Sequence, residues 1–266
     1  MSKTRMRSKQ VNKLAVKPEY FENMPVNWME RRSELAWALS SVRERIDAAC
    51  LAAGRSPEEV SLVAVTKNHP WTDALALYSL GERDFGENRV QELLPKIEQM
   101  AEQGLNPRWH LIGTLQRNKV KYISGKTALI HSVDSERLAR EISRQAEERS
   151  LTERILLQVN YSGEASKQGF RPADLLRVLP QLAALPGLHF GGLMTMAEQG
   201  ATPERLEETF SGVRELLVQA QNALPSTDGS NFTCLSMGMT EDFEIAVRCG
   251  ATHLRIGSAL LGQREY

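Results

Sequence analysis

The chain is expected to form an α/β fold, a single (β/α)8 TIM barrel, on three observations. Eight β-like runs of five to seven residues recur along it, helical stretches separate them, and nearly every run ends in polar or glycine residues. Strands alternating with helices imply right-handed parallel crossovers. Eight such units close into a barrel whose functional residues gather at the C-terminal ends of the strands. A doubly wound open sheet is the competing fold. It favours a GxGxxG turn after an early strand, whereas the first run here leads into AVTKNHP.

The elements follow in order. Residues 1–27 read as a disordered basic N-terminal extension, and the barrel is expected over 28–266. Lys3, Arg5, Arg7, Lys9, Lys13 and Lys17 all precede the first acid, Glu19. An organelle-targeting or nucleic-acid-binding arm is the sharper reading of that stretch, and Met6 or Met24 could be its true start. The first helix runs from Met29 to Ala53, with Leu35, Leu39, Val42, Ile46 and Ala49 at spacings of three and four. Gly54 ends it, a residue suited to the left-handed conformation just past a helix.

The strands are SLVAVT (61–66), DFGEN (84–88), WHLIG (109–113), LIHSVD (129–134), RILLQVN (154–160), HFGGLMT (189–195), TCLSMG (233–238) and THLRIG (252–257). Between them, Asp134 or Ser135 can cap a helix carrying Leu138, Ile142 and Ala146. Pro172 opens another, with Leu175, Leu176 and Leu179. Glu204 to Leu224 places Leu206, Phe210, Val213, Leu217 and Ala220 on one face. Thr240 can cap a helix from Glu241 to Cys249, which Gly250 ends.

Composition sets limits on function. A chain of 266 residues, 41% hydrophobic, suits one large domain that buries about three-quarters of its unfolded surface. Cys50, Cys234 and Cys249 are odd in number and far apart, with no CxxC pair. That argues against a zinc site or a disulfide framework and for a reducing, cytoplasmic setting. No apolar run is long enough to span a bilayer, and the N-terminus lacks the apolar core of a secretory signal. Bases and acids number 33 each, a balance that gives no electrostatic footprint for nucleic acid. Taking away the six tail bases leaves 27 against 33 acids, so the body is mildly acidic.

The strand ends carry Lys67, Glu87 with Asn88, Gly113 with Gln116 and Asn118, Ser132 with Asp134, Asn160, Met194 with Thr195, Ser236 with Gly238, and Gly257 with Ser258. In a barrel these converge on one face. Lys67 has two readings. It is an exposed lysine ending a strand, or an amine whose pKa is lowered by apolar neighbours so that it attacks an aldehyde. RIGS places Gly257 and Ser258 where backbone N–H groups can meet an anion, and loops after strands seven and eight are the usual phosphate position in such barrels. SMGMT offers Ser236 and the amides around Gly238. Glu241 and Asp242, expected in the first turn of the next helix, make that loop the weaker anion site. Taken singly, each loop also reads as a tight turn. Arg255 shares a strand face with Gly257 and needs a polar partner, either a ligand ring nitrogen or a protein carboxylate. A lysine on strand one, phosphate loops after strands seven and eight and an inward arginine together suggest pyridoxal 5′-phosphate (PLP).

The stretches AVTKNHP, DFGENRVQE, WHLIGTLQRNK, HSVDSERLA, QVNYSGEASKQGF, GLMTMA and LSMGMTEDFEIAVRCGATHLRIGSALLG resemble the pyridoxal phosphate homeostasis proteins, in that family's order, from about Glu30 to Arg264. The resemblance implies the barrel of the alanine racemase N-terminal domain and a covalent PLP aldimine on Lys67. It implies further cofactor-binding positions at Ser236, Met237, Gly257 and Ser258 around the phosphate, Arg255 facing the pyridine nitrogen, and Asn88 and His110 lining the pocket. It also implies a role in vitamin B6 and amino-acid homeostasis without established turnover. Expected partners are PLP and, as recipients, PLP-dependent apo-enzymes, with no nucleic acid and no membrane; the protein is taken as a monomer. The alternatives are a PLP-dependent enzyme such as an amino-acid racemase, for which Tyr161 is the one candidate second base, and a Schiff-base aldolase or phosphosugar barrel. An arginine on the pyridine nitrogen disfavours ring protonation and weakens the electron sink, which suits the non-catalytic reading.

Overall fold

The structure, a computed structural model, describes residues 26–164, 167–224, 229 and 231–262. The expected disordered tail falls on residues 1–27, of which 1–25 lie outside the described residues. Eight strands form a closed barrel in sequence order, every neighbouring pair parallel. They are β1 (Ser61–Val65), β2 (Asp84–Glu87), β3 (Arg108–Leu111), β4 (Leu129–Val133), β5 (Glu153–Val159), β6 (Leu188–Thr195), β7 (Cys234–Ser236) and β8 (His253–Ile256). Each predicted strand is present, with ends shifted by at most two residues.

The helices surround the barrel: α1 (Trp28–Ala52), α2 (Trp71–Ser79), α3 (Val90–Glu102), α4 (Val120–Ile123), α5 (Glu136–Glu148), α6 (Pro172–Ala183), α7 (Pro203–Ala223), α8 (Phe243–Arg248) and α9 (Ser258–Leu261). The stripe read from the first helix is buried at Leu35, Leu39, Val42, Ile46 and Ala49. Gly54 takes φ +66 just beyond the helix. Helix α1 precedes the first strand and lies against α2, α8 and α9, so it covers the seam where β8 closes onto β1. Arg31 ties that seam, donating to Asp73 on α2 and to the Leu261 carbonyl at 2.9 Å. Ser135 caps α5 by accepting from the Leu138 amide, an arrangement worth about 1 kcal/mol.

Side chains alternate across each strand. Leu62 and Ala64 join the apolar layer between barrel and helices. Leu129, Leu156 and Met194 form a separate cluster inside the barrel. Register slips between Ile155 and Leu156 where β5 meets β6, close to Gly192. A Cβ at Gly192, where φ is +146, would stand 2.0 Å from the Cys234 carbonyl oxygen, so only glycine lets β6 and β7 approach there.

One boundary differs in a way that matters. The helix expected from Glu241 begins at Phe243, with Asp242 at its N-cap position. Thr240 does not cap it. Its Oγ1 accepts instead from the Ala259 amide at 3.3 Å and from Ser258 Oγ at 3.1 Å. Glu241 and Asp242 therefore lie in the loop after β7, outside the helical turns.

Candidate functional site

The C-terminal strand ends open into a cavity of about 900 Å³. Its lining comes from the ends of seven strands' worth of chain: Val65, Lys67 and His69; Asn88; Ile112 to Thr114; Gln158, Lys167 and Gln168; Met196 to Ala201; Met239 to Asp242; Arg255, Gly257 and Ser258. Of the residues expected at the site, the structure brings together Lys67, Asn88, Arg255, Gly257 and Ser258. It places His110, Ser236 and Met237 outside that lining. His110 and Ser236 lie in the barrel interior, 4% and 0% exposed, and Met237 is fully buried in the layer beneath the helices.

Lys67 stands two residues past β1. The turn that carries it is held from several sides. Thr66 turns its hydroxyl away to donate to Glu87 Oε1 at 2.6 Å. Lys96 of α3 donates both to Glu87 and to the Thr66 carbonyl, the latter at 2.7 Å. Asn68 adopts φ +61, a left-handed conformation that asparagine tolerates better than most residues, and its amide donates to Glu92 Oε2 at 2.8 Å. The His69 amide closes the turn onto the Thr66 carbonyl at 3.1 Å. Lys67 itself is half-buried. Asn88 reaches the cavity because Gly113 lets its backbone come close: a Cβ at Gly113 would lie 2.4 Å from the Asn88 carbonyl oxygen.

Arg255 is the most unusual group in the cavity wall. It is buried, with Nη1 donating to Ser236 Oγ at 2.6 Å and Nη2 to the Thr195 carbonyl at 2.9 Å. Among the described residues no carboxylate forms an ion pair with it. Burial pushes its pKa down to about 10, with Asp242 partly opposing. Asp242 accepts from the Met239 amide at 2.6 Å, and burial pushes its carboxyl above the usual range.

The remaining polar strand ends are structural. Ser132 donates to the Gly113 carbonyl at 2.6 Å. The Asn160 amide group donates to the Glu164 and Lys167 carbonyls. Gln116 and Asn118 line a shallow surface depression instead. Tyr161, the candidate second base, packs on α7, where a Cβ on Gly212 would lie 2.0 Å from its ring. Sequence reasoning missed Asp84, His131 and His253, which share the barrel interior with His110. Alternation was the available signal, because each stands an even number of residues from an inward-facing neighbour on its strand. Among the described residues no group of histidines, cysteines and carboxylates is placed to hold a metal ion.

The model of the alanine racemase N-terminal domain matches residues 39–265. The pyridoxal phosphate homeostasis proteins of Aquifex aeolicus and Pseudomonas aeruginosa are each 40% identical, over 86% and 88% of this chain and 97% of each relative. The chain belongs to the pyridoxal phosphate homeostasis protein family. Among solved structures, PipY of Synechococcus elongatus superposes with a TM-score of 0.76 without PLP, at 37% identity, and 0.74 with PLP bound, at 35% identity. Each comparison covers 86% of this chain and all of PipY. An alanine racemase of Corynebacterium glutamicum, 17% identical with a TM-score of 0.62, shares the barrel over 85% of this chain and 62% of its own. Likeness at that identity concerns the fold alone, so the family's barrel is a (β/α)8 barrel of the racemase type.

Proposed function

We propose that this protein binds PLP in the strand-end cavity, held covalently on Lys67 as an aldimine, and serves intracellular PLP and amino-acid homeostasis without strong catalytic turnover. The observation that carries the reading is Arg255: a buried guanidinium in the wall of the cavity that also holds Lys67, with no paired carboxylate among the described residues. A buried cation needs an acceptor, and the unprotonated pyridine nitrogen of PLP is one that leaves the arginine charged. Gly257, Ser258 and Thr240 supply backbone and hydroxyl donors for the phosphate after β7 and β8, the latter beside the strand that carries Lys67, and Asn88 lines the wall on the other side of Lys67, after β2. PLP itself supplies an aldehyde that captures amines reversibly. His110 and Ser236 act from below the cavity, and Met237 supports the loop from the helix side.

The same chemistry supports a carrier over an enzyme. An arginine opposite the ring nitrogen opposes its protonation, which weakens the electron sink that racemisation and transamination require. A second reading, slow racemase-like activity, is favoured by one observation. His69 lines the cavity with Nδ1 3.4 Å from Asp73 Oδ2, and burial lowers its pKa, so it is neutral near pH 7 and able to accept a proton. PLP-dependent apo-enzymes are the proposed recipients, the cytoplasm the proposed setting and the monomer the proposed state. No described helix is long and apolar enough to cross a membrane.

The test is the absorption spectrum of the purified protein and of Lys67→Ala, with PLP added and after borohydride reduction. The expected result is a visible-edge band in the wild type that reduction locks onto the chain and that Lys67→Ala lacks. A wild type that stays colourless with PLP refutes the reading.

A further inference from the structure

Below the cavity floor a continuous line of side chains crosses the barrel interior. Arg255 on β8 donates to Ser236 Oγ on β7 at 2.6 Å. Ser236 Oγ lies 2.8 Å from His131 Nδ1 on β4. His131 Nε2 lies 2.9 Å from His110 Nδ1 on β3. His110 Nε2 lies 3.0 Å from Asp84 Oδ1 on β2. Arg108 grips the far end, donating to both Asp84 oxygens. His253 stands beside the line, its ring 6.1 Å from that of His131, and its Nδ1 meets Thr252 Oγ1 at 2.9 Å.

The chemistry of the two ends assigns the protons between them. Arginine can only donate, and an ionised carboxylate can only accept. Burial opposes the charge on Asp84, but hydrogen bonds from Arg108 and His110 outweigh it and hold the carboxyl well below its usual range. With Asp84 charged, His110 presents Nε2–H to it and leaves Nδ1 as an acceptor. His131 must then present Nε2–H to His110 and accept on Nδ1 from the Ser236 hydroxyl. Ser236 Oγ is left to accept from Arg255. The opposite order demands a doubly protonated His110 and two donors aimed at Ser236. His131 cannot relieve that by charging, because burial, together with the neighbouring His110, His253 and Arg255, keeps its pKa well below the ordinary histidine value.

We infer that Arg255, Ser236, His131, His110 and Asp84 form one directed hydrogen-bond chain, and that His131 is a positioning residue that acts through Ser236 to fix Arg255 for its ligand. Every bond in the chain has its donor end toward Arg255 and its acceptor end toward Asp84, so the line polarises Ser236 Oγ negatively at the guanidinium. This serves in place of the carboxylate that Arg255 lacks. It also leaves the guanidinium charged and immobile at the cavity wall. The inference rests on the PLP reading only for the identity of the ligand.

Long-range proton–nitrogen NMR on the full-length ¹⁵N-labelled protein tests the chain without any ligand. His131 is expected as the neutral Nε2–H tautomer throughout pH 6 to 8, with a coupling across the hydrogen bond from its Nε2–H to His110 Nδ1. The charged groups facing them are Asp84, Arg108, Arg154 and Arg255, with His253 alongside. An Nδ1–H His131, or a coupling that runs the other way from a His110 Nδ1–H, overturns the inference. PLP titration then tests the positioning role. His131→Leu is expected to weaken binding at least about tenfold, equivalent to about 1.4 kcal/mol. His131→Gln, which keeps one donor and one acceptor on a planar group, is expected to recover most of the loss. Wild-type affinity in a folded His131→Leu overturns the role. If wild type takes up no PLP, the proposed function fails, while the tautomers still decide the chain.

Discussion

Replacing Lys96 by methionine probes the clamp behind the lysine turn. Glu87 is fully buried and its side chain pairs with Lys96, itself 8% exposed. Glu87 Oε1 also takes the Thr66 hydroxyl, whereas Oε2 has no hydrogen-bond partner. Burial pushes the Glu87 carboxyl above its ordinary range, and Lys96 and Thr66 partly offset this. Methionine removes the larger offset and strands a buried carboxylate, a change that costs about 3–5 kcal/mol. For a domain of this size that lowers Tm by roughly 6–20 °C. The cost depends on pH. A carboxyl whose folded pKa lies above its unfolded value, about 4.3, contributes stability below the unfolded value and loses it as pH rises through the folded one. In Lys96→Met the folded value climbs further, so the loss deepens from pH 5 to pH 8. Calorimetric melts at pH 5, 6.5 and 8 are expected to show a small deficit at pH 5 and the full one at pH 8. Adding Glu87→Gln is expected to recover most of it, because the stranded charge is gone. An equal deficit at every pH, or no recovery in the double variant, refutes the argument. Since Lys96 also holds the Thr66 carbonyl, the variant is further expected to slow PLP capture by Lys67.

Gly113→Ala drives a methyl group into the Asn88 backbone, which must shift, so the melt is expected to move down and fluorescence titration to show about tenfold weaker PLP binding, or about 1.4 kcal/mol. Ser258→Ala removes the hydroxyl proposed to meet the phosphate; a lost hydrogen bond to a charged group is worth about 1.5–3 kcal/mol, so equilibrium dialysis is expected to show PLP affinity falling about tenfold or more. Gly192→Ala puts a Cβ 2.0 Å from the Cys234 carbonyl oxygen at a positive φ, and the expected outcome is insoluble or unfolded protein, read by expression and circular dichroism.

The barrel was legible because strand and helix periods differ so sharply. SLVAV and the Leu35–Ala49 stripe each admit one reading, and both are buried as expected. The helix start after SMGMT was not legible. Thr240 and Asp242 are both good caps by composition, and the contact from Ser258 to Thr240 that separates them links residues 18 apart in sequence. At the site, Lys67, Arg255, Gly257 and Ser258 could be placed from strand ends alone. Ser236 could not, because its hydroxyl is committed inward by His131 on another strand. Pairings of that kind depend on which side chains meet across a closed barrel, and the period of one strand carries no trace of them.

The seam between β1 and β8 has a consequence for synthesis. Lys67 follows the first strand and Ser258 the last, so two neighbouring stretches of the cavity wall are made nearly two hundred residues apart. Ser61 to Ala64 find their partners at His253 to Ile256 only when the final strand is in place. Contacts so distant in sequence form late. Under the proposed function, a growing chain therefore carries Lys67 for most of translation without the wall that would position a ligand against it, and capture begins only once the ring has closed.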